Sequence, residues 1–356
     1  SLGNGRAIMF GGWSGQHDFD DTWIFDQFTN NWTKISLPTT TSLVLQKSQS
    51  PKGRDRHAMA GLENGKVLMF GGVVGFGNGD YLSDTWIFDE RISQWQKSNT
   101  STESPKARDY HAMAKVEEGT IVLFGGYDGK GFFLGDTWTF TTKWNKVTSP
   151  SPKALQERSG HSMSSLNGEV LLYGGSNDNT ILRDTWIYNK VDGWAQIMQD
   201  LTFKPPKARV FHSMATLKNG FVLMFGGLKI DGVNCDQLCN DTWVYSQVRK
   251  HWTKIETTHM NSPVSRIQHS MASIGTNKVL MFGGEACLNV LGDTWIFDFR
   301  NGNWALIEGK EASPKPRAQH AMAQLGKNTV ILFGGWNGGS GDYDDTWKLD
   351  LTTKKW

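Results

Sequence analysis

Seven times along the chain a short, continuous apolar run ends in two glycines: Ala7 to Phe10, Val67 to Phe70, Ile121 to Phe124, Val170 to Tyr173, Val222 to Phe225, Val279 to Phe282 and Val330 to Phe333. The second glycines are Gly12, Gly72, Gly126, Gly175, Gly227, Gly284 and Gly335. Runs of this length, rich in β-branched and aromatic residues and bounded by glycine, are too short for helices and read as strands buried on both faces. Between 11 and 16 residues after each second glycine stands Asp-Thr-Trp, with its Trp at 23, 86, 138, 186, 243, 295 and 347. Six to nine residues later comes another Trp, at 32, 95, 144, 194, 252, 304 and 356. Ahead of six of the runs lies Arg-x-x-His, from Arg54-His57 through Arg317-His320. Each repeat therefore predicts four strands: a after Arg-x-x-His, b before Gly-Gly, c at Asp-Thr-Trp and d around the second Trp.

The repeat has a mean period of about 51 residues over 356, which means stacked structural units. A strand that is apolar at every position needs a neighbour on each side, and a radial array of sheets supplies both. Gly-Gly lets the backbone leave strand b where a side chain would collide or where φ must be positive. The strand-d Trp is a large apolar plate for the widening gap between sheets. A double glycine followed at set distances by aromatics, seven times in register, resembles the kelch-repeat family over nearly the whole chain. That resemblance implies an all-β, seven-bladed kelch-type β-propeller of four-stranded antiparallel blades, forming a single domain over residues 1–356. Strand a is missing from the first repeat and the last repeat stops at Trp356 as strand d begins, so the first and last blades are expected to be incomplete.

Charge and composition narrow the partners. Lys plus Arg number 37 and Asp plus Glu 35, a net charge of +2 that gives no electrostatic footprint for nucleic acid or an acidic membrane. No apolar run approaches the length of a membrane span, so no membrane insertion is expected. The chain begins at Ser1 without an initiator Met or a signal peptide, and reads as a processed product or an excised piece of a larger chain. Cys235, Cys239 and Cys287 are too few for a disulfide framework and lack the His spacing of a zinc site. Cys235 and Cys239 share one b-to-c loop and Cys287 lies in the next, so one disulfide with one thiol left over fits. Asn31, Asn99 and Asn240 head acceptor sequons for N-glycosylation. Together these lean towards an extracellular setting.

Catalytic chemistry finds little support. A catalytic residue is not needed in every blade, so the six repeated His and Arg are structural, hydrogen-bonding neighbouring backbone, with Arg suited to the recurring Asp of Asp-Thr-Trp. Kelch-like copper radical oxidases need two Tyr, two His and a Cys cross-linked to Tyr, and no Cys here lies beside a Tyr. The iron motif Glu-x-x-x-Asp-x-x-x-His of kelch-like specifier proteins is absent. No cofactor is expected. Gly75-Phe76-Gly77-Asn78-Gly79 lacks a following helix to receive a pyrophosphate and reads as a loop.

Where the symmetry fails, binding is expected. His to second Gly is 14 or 15 residues in every complete repeat, whereas the b-to-c and d-to-a loops vary in length and emerge on one face. The residue after Gly-Gly runs Trp13, Val73, Tyr127, Ser176, Leu228, Glu285, Trp336. Blades seven, one, two and three are thus aromatic or apolar there, and their loops add Asp18, Phe19, Phe76, Tyr81, Phe132, Asp342 and Tyr343. These residues either pack within their own loops or form a patch of aromatic platforms with acidic neighbours, suited to a basic or polar peptide or a glycan. The residue before each strand-a His is a second variable set. In peptide-binding kelch domains that position reaches the mouth of the central channel, which by resemblance nominates Arg56, Tyr110, Phe211, Gln268 and Gln319. The expected function is a non-catalytic module binding a protein, peptide or glycan. The alternatives are a self-associating structural subunit of an extracellular assembly and a metal-dependent kelch-like enzyme.

Overall fold

The computed structural model describes residues 1–2, 4–14, 16–35, 50–75, 79–98, 103–117, 119–148, 155–198, 204–229, 237–257, 262–287, 289–307, 313–339 and 341–356. The chain is all-β, a seven-bladed β-propeller whose blades are mainly four-stranded antiparallel sheets with strands in chain order. It divides into two compact units, Ser1–Thr148 with blades 1 to 3 and Ser149–Trp356 with blades 4 to 7. Blade 5 is representative: Ser213–Leu217 (a), Phe221–Phe225 (b), Thr242–Ser246 (c) and His251–Ile255 (d), in register Leu223 to Val244 and Val244 to Thr253. Among the described residues blades 1 and 7 each have three strands, Arg6–Phe10, Thr22–Asp26 and Asn31–Lys34 in the first and Ala321–Leu325, Thr329–Phe333 and Thr346–Asp350 in the last.

The all-apolar runs form strand b, and their burial explains the lack of alternation. Leu68, Met69 and Phe70, Leu123 and Phe124, and Val222 through Phe225 are all wholly inaccessible. Alternate residues of one b strand face different neighbours. In the first unit, Val67 and Met69 pack with Ile8 and Phe10 of blade 1, while Leu68 and Phe70 pack with Ile121 and Leu123 of blade 3. In the second, Val222 and Met224 join the layer with blade 4, and Leu223 and Phe225 the layer with blade 6.

Within each unit, blade n is tied to blade n − 1 by its strand-d Trp. Trp304 Nε1 donates to Thr242 Oγ1 of blade 5 at 2.9 Å, and Trp252, Trp144 and Trp95 do the same to Thr185, Thr85 and Thr22. The aromatic residue ending the earlier blade's strand b meets this indole edge-on, Phe225 to Trp304 at 5.3 Å and Phe70 to Trp144 at 5.3 Å. The double glycine sits where blades touch: at Gly226 (φ 72°) a Cβ would stand 2.4 Å from the Arg266 carbonyl oxygen of blade 6, and at Gly227 (φ 102°) 2.9 Å from His212 Cβ.

The expected Arg–Asp pairing is present in all six blades that have the Arg. Arg209 Nη1 and Nη2 donate to Asp241 Oδ1 and Oδ2 at 2.8 and 2.9 Å, and Arg54, Arg108, Arg158, Arg266 and Arg317 pair likewise with Asp84, Asp136, Asp184, Asp293 and Asp345. Asp21, whose blade lacks that Arg, has Lys34 at 3.4 Å instead. In three blades the His of the motif behaves differently from expectation. The ring nitrogens of His212, His269 and His320 have no hydrogen-bond partner; the rings lie edge-on to Tyr173, Phe225 and Phe282 of the preceding blade. They act as buried aromatic plates, and burial beside Arg317 pushes His320 down to about 3, so its ring is neutral.

Two truncations separate packing from hydrogen bonding at one blade junction. Trp304→Ala should cost about 3–5 kcal/mol as a buried aromatic truncation, and Thr242→Val about 1 kcal/mol as the loss of one hydrogen bond. Urea unfolding of both variants checks the order; equal losses would mean that the bond, and not the ring, joins the blades.

Candidate interaction surface

In each of blades 2 to 7 the b-to-c hairpin and the segment entering strand a lie side by side. The residue after Gly-Gly forms a bridge with the residue after the framework Arg: Val73 with Asp55, Tyr127 with Asp109, Ser176 with Ser159, Leu228 with Val210, Glu285 with Ile267 and Trp336 with Ala318. The two variable loop sets therefore share one side of every such blade. Their roots are fixed by the buried guanidinium, which also donates through Nε to the carbonyl two residues earlier, Lys207 in the case of Arg209.

The residue before each strand-a His adopts a left-handed backbone without exception: Arg56 (φ 51°), Tyr110 (47°), Gly160 (62°), Phe211 (58°), Gln268 (53°) and Gln319 (57°). In the second unit this conformation passes a hydrogen bond from blade to blade, Phe211 N–H to Gly160 C=O, Gln268 to Phe211 and Gln319 to Gln268, at 3.0 to 3.3 Å. Glycine fits such a turn without strain, whereas other residues cost roughly 1–2 kcal/mol. Blade 4 has the glycine. The other five blades carry a side chain at that cost, and these are the five residues nominated from sequence. Gln319 Nε2 donates to Gln268 Oε1 at 3.1 Å, and Arg56 lies over the Tyr110 ring at 5.2 Å.

The aromatic loop residues divide by unit. In the first, Tyr81 meets Tyr127 edge-on at 6.2 Å, Tyr127 meets Phe133 at 5.5 Å, and Phe132 is exposed. Trp13 bridges to Asp18, whose Oδ2 accepts the Gly75 N–H of blade 2 at 2.6 Å, and Phe19 lies against His17. Phe76 lies outside the described residues. In the second unit Trp336 bridges to Asp342 and donates its indole N–H to the Gly339 carbonyl at 2.7 Å, and the Tyr343 ring covers the Arg317 guanidinium at 4.2 Å. Both rings are engaged by their own blade. Asn31 and Asn240 are exposed, and Asn99 and Cys235 lie outside the described residues. Cys287 is disulfide-bonded and Cys239 is a buried free thiol.

Two residues that sequence reasoning passed over stand among these groups. Asp55 and Asp109 directly follow the framework Arg, where the other four blades with that Arg have Ser159, Val210, Ile267 and Ala318. That substitution pattern was the available signal. Asp109 is 1% exposed, and burial pushes its carboxyl up to about 6 even though Arg56 pulls it down. Asp55 is raised by the same cause. Among the described residues no group of three or more His, Cys, Asp or Glu is placed to hold a metal.

Comparison with known proteins places this geometry in a family. The KLHDC2/KLHL20/DRC7 Kelch-repeats domain matches residues 38–227, 93–284 and 198–356 in three overlapping stretches. The chain belongs to the kelch-repeat family. Kelch relatives include an F-box/kelch-repeat protein of Arabidopsis thaliana, 29% identical over 280 residues that cover 71% of this chain and 56% of that protein. Acyl-CoA-binding domain-containing protein 4 of the same plant is 26% identical over 279 residues, 74% of this chain and 40% of the relative. Adagio-like protein 1 of Oryza sativa subsp. japonica is 29% identical over 268 residues, 66% and 40% respectively. The matched kelch segment thus spans about half, or less, of the length of these relatives.

The raised carboxyl has a consequence for stability with a definite sign. A folded-state pKa above the unfolded one favours folding below about 3.8, and this contribution is lost as pH rises through about 6. Asp109→Asn should therefore stabilise the protein by roughly 1–3 kcal/mol at pH 8 and by little at pH 4. Denaturant midpoints at the two pH values test this; a gain confined to pH 4 would contradict it.

Proposed function

We propose that the chain is a non-catalytic interaction module that receives a protein or peptide segment on the side of the blades carrying the b-to-c hairpins and the turns into strand a. The observation that carries this reading is that bulky side chains, Arg56 and Tyr110 in the first unit and Phe211, Gln268 and Gln319 in the second, are held in left-handed backbone at a turn where Gly160 shows that glycine suffices. A side chain retained against backbone preference at repeated, aligned positions has a use other than folding. Their chemistry differs from blade to blade, which suits reading successive parts of an irregular ligand. The relatives' names couple kelch repeats to an F-box in one and similar sequence to an acyl-CoA-binding domain in another, which supports a recognition module joined to unlike partners.

Peptides selected from a random library against the full chain test the reading. Tyr110→Ala should weaken binding of a selected peptide by about 2 kcal/mol, a hot-spot loss. Ile92→Ala, at an exposed c-to-d turn on the other side of blade 2, should leave it unchanged. The opposite ranking would put the binding side on the c-to-d turns.

The disulfide at Cys287 further supports an oxidising, extracellular setting. Alkylation of denatured protein from its native source, without reductant, should label Cys239 and spare Cys287. Labelling of both would remove the extracellular reading.

A further inference from the structure

We infer that blades 2 and 3 hold a subsite for the ammonium or guanidinium group of a basic side chain of the partner, built on Asp109 and Asp55 and walled by Tyr81, Tyr110 and Tyr127. The inference rests on the interaction reading above and specifies the chemistry of one part of that surface.

Asp109 carries most of the argument. Its carboxylate is almost entirely buried, and Oδ1 has no hydrogen-bond partner. A buried carboxylate oxygen left unsatisfied is costly, and a cationic donor is the group that relieves it best. The nearest cation is Arg56, whose Nη1 lies 3.5 Å from Asp109 Oδ2 and whose Nε lies 3.5 Å from Asp55 Oδ2. The same protein shows what a saturated pair looks like: Arg209 holds Asp241 by two bonds of 2.8 and 2.9 Å. Arg56 is thus a loose occupant shared between two carboxylates.

The surroundings add charge and shape. Asp55 and Asp109 share the single Arg56, and Asp18, whose Oδ1 is also buried without a hydrogen-bond partner, adds its charge beside Asp55. Arg56 offsets only one of the Asp55 and Asp109 charges. Tyr110 already takes the Arg56 guanidinium over its face at 5.2 Å, which demonstrates that the ring accepts a cation there. Tyr81 and Tyr127 complete an aromatic wall, and a side chain at Gly129 would run into Tyr81 at 2.2 Å. No other complete blade has a carboxylate at the position after the framework Arg, so the subsite is a departure from the repeat and serves none of the framework contacts. An incoming basic side chain would take the carboxylates while Arg56, 37% exposed in its side chain, swings towards solvent. The groups facing Asp109 are Arg56, Asp55, Tyr81, Tyr110 and Tyr127; with Asp109 raised to about 6, binding should fade between pH 7.5 and 5.5.

The test uses the full chain and random dodecapeptides on phage, followed by titration calorimetry of a selected peptide against copies with each Lys or Arg replaced by Gln. Selected peptides should be enriched in Lys or Arg. One replacement should weaken binding to the unaltered protein about tenfold or more and binding to Asp109→Asn or Asp55→Asn less than about twofold. Arg56→Gln should enlarge the penalty of that replacement by removing the internal competitor for the carboxylates. Peptides that bind without a basic residue, discrimination that survives in Asp109→Asn, or loss of binding in Arg56→Gln would each overturn the subsite and leave the interaction reading standing. A library that yields no binder would remove both.

Discussion

A guanidinium with no exposure to solvent, bound to a carboxylate through two hydrogen bonds, is the contact on which each complete blade depends. Arg209 donates to Asp241 through both terminal nitrogens, to the Gly226 carbonyl through Nη1 and to the Lys207 carbonyl through Nε. Asp241 in turn accepts from the Trp243 indole at 2.7 Å. One side chain thereby pins the loop entering strand a, the end of strand b and the start of strand c. The carbonyl of the next blade's Arg266 accepts from the Gly227 N–H, so neighbouring knots are linked. Losing either member of such a pair leaves a buried charge uncompensated, a penalty of about 3–5 kcal/mol, while an exposed surface pair is worth about 1 or less.

Because the roots of the b-to-c and d-to-a loops are fixed by this knot, their tips are free to differ. In each blade that has the knot, the turn between Arg and His is left-handed and presents one side chain or, in blade 4, a glycine. What varies is what that side chain is: charged and aromatic at Arg56 and Tyr110, apolar at Phe211, amide at Gln268 and Gln319. A rigid frame with variable residues at equivalent points is an economical way to read an irregular ligand, since each position changes without disturbing the frame.

The frame was legible because it repeats. Seven double glycines, fourteen phased Trp and six Arg-x-x-His motifs specified strand order and the blade junctions, and suggested the recurring Asp as a partner for Arg. The same regularity misled in two places. His212 and His269 looked like hydrogen-bonding groups because they are polar; that their rings meet Tyr173 and Phe225 of another blade is a tertiary fact that no local pattern encodes. Asp55 and Asp109 were overlooked because they sit inside the repeat frame, beside an invariant framework Arg, where variation reads as noise. Trp336 was legible as an aromatic at a variable position, but its indole contact with Gly339 depends on the local fold of that one loop.

The two kinds of buried titratable group pull stability in opposite directions with pH. His57, pushed down to about 4 by burial and Arg54, stabilises the fold above about 6.5, and that contribution is lost as pH falls through about 4. Asp109 has the reverse dependence, so near neutral pH the framework His favour folding while the Asp109 carboxylate opposes it. A repeat whose other blades manage with Ser, Val, Ile or Ala at that position does not require the charge for folding. Under the proposed subsite its cost falls on the side of function, as stored strain and buried charge do in sites prepared for a ligand. A cation from a partner would cancel the opposition by filling the vacant side of the carboxylate, which makes ligand binding and the pH response two readings of the same electrostatic defect.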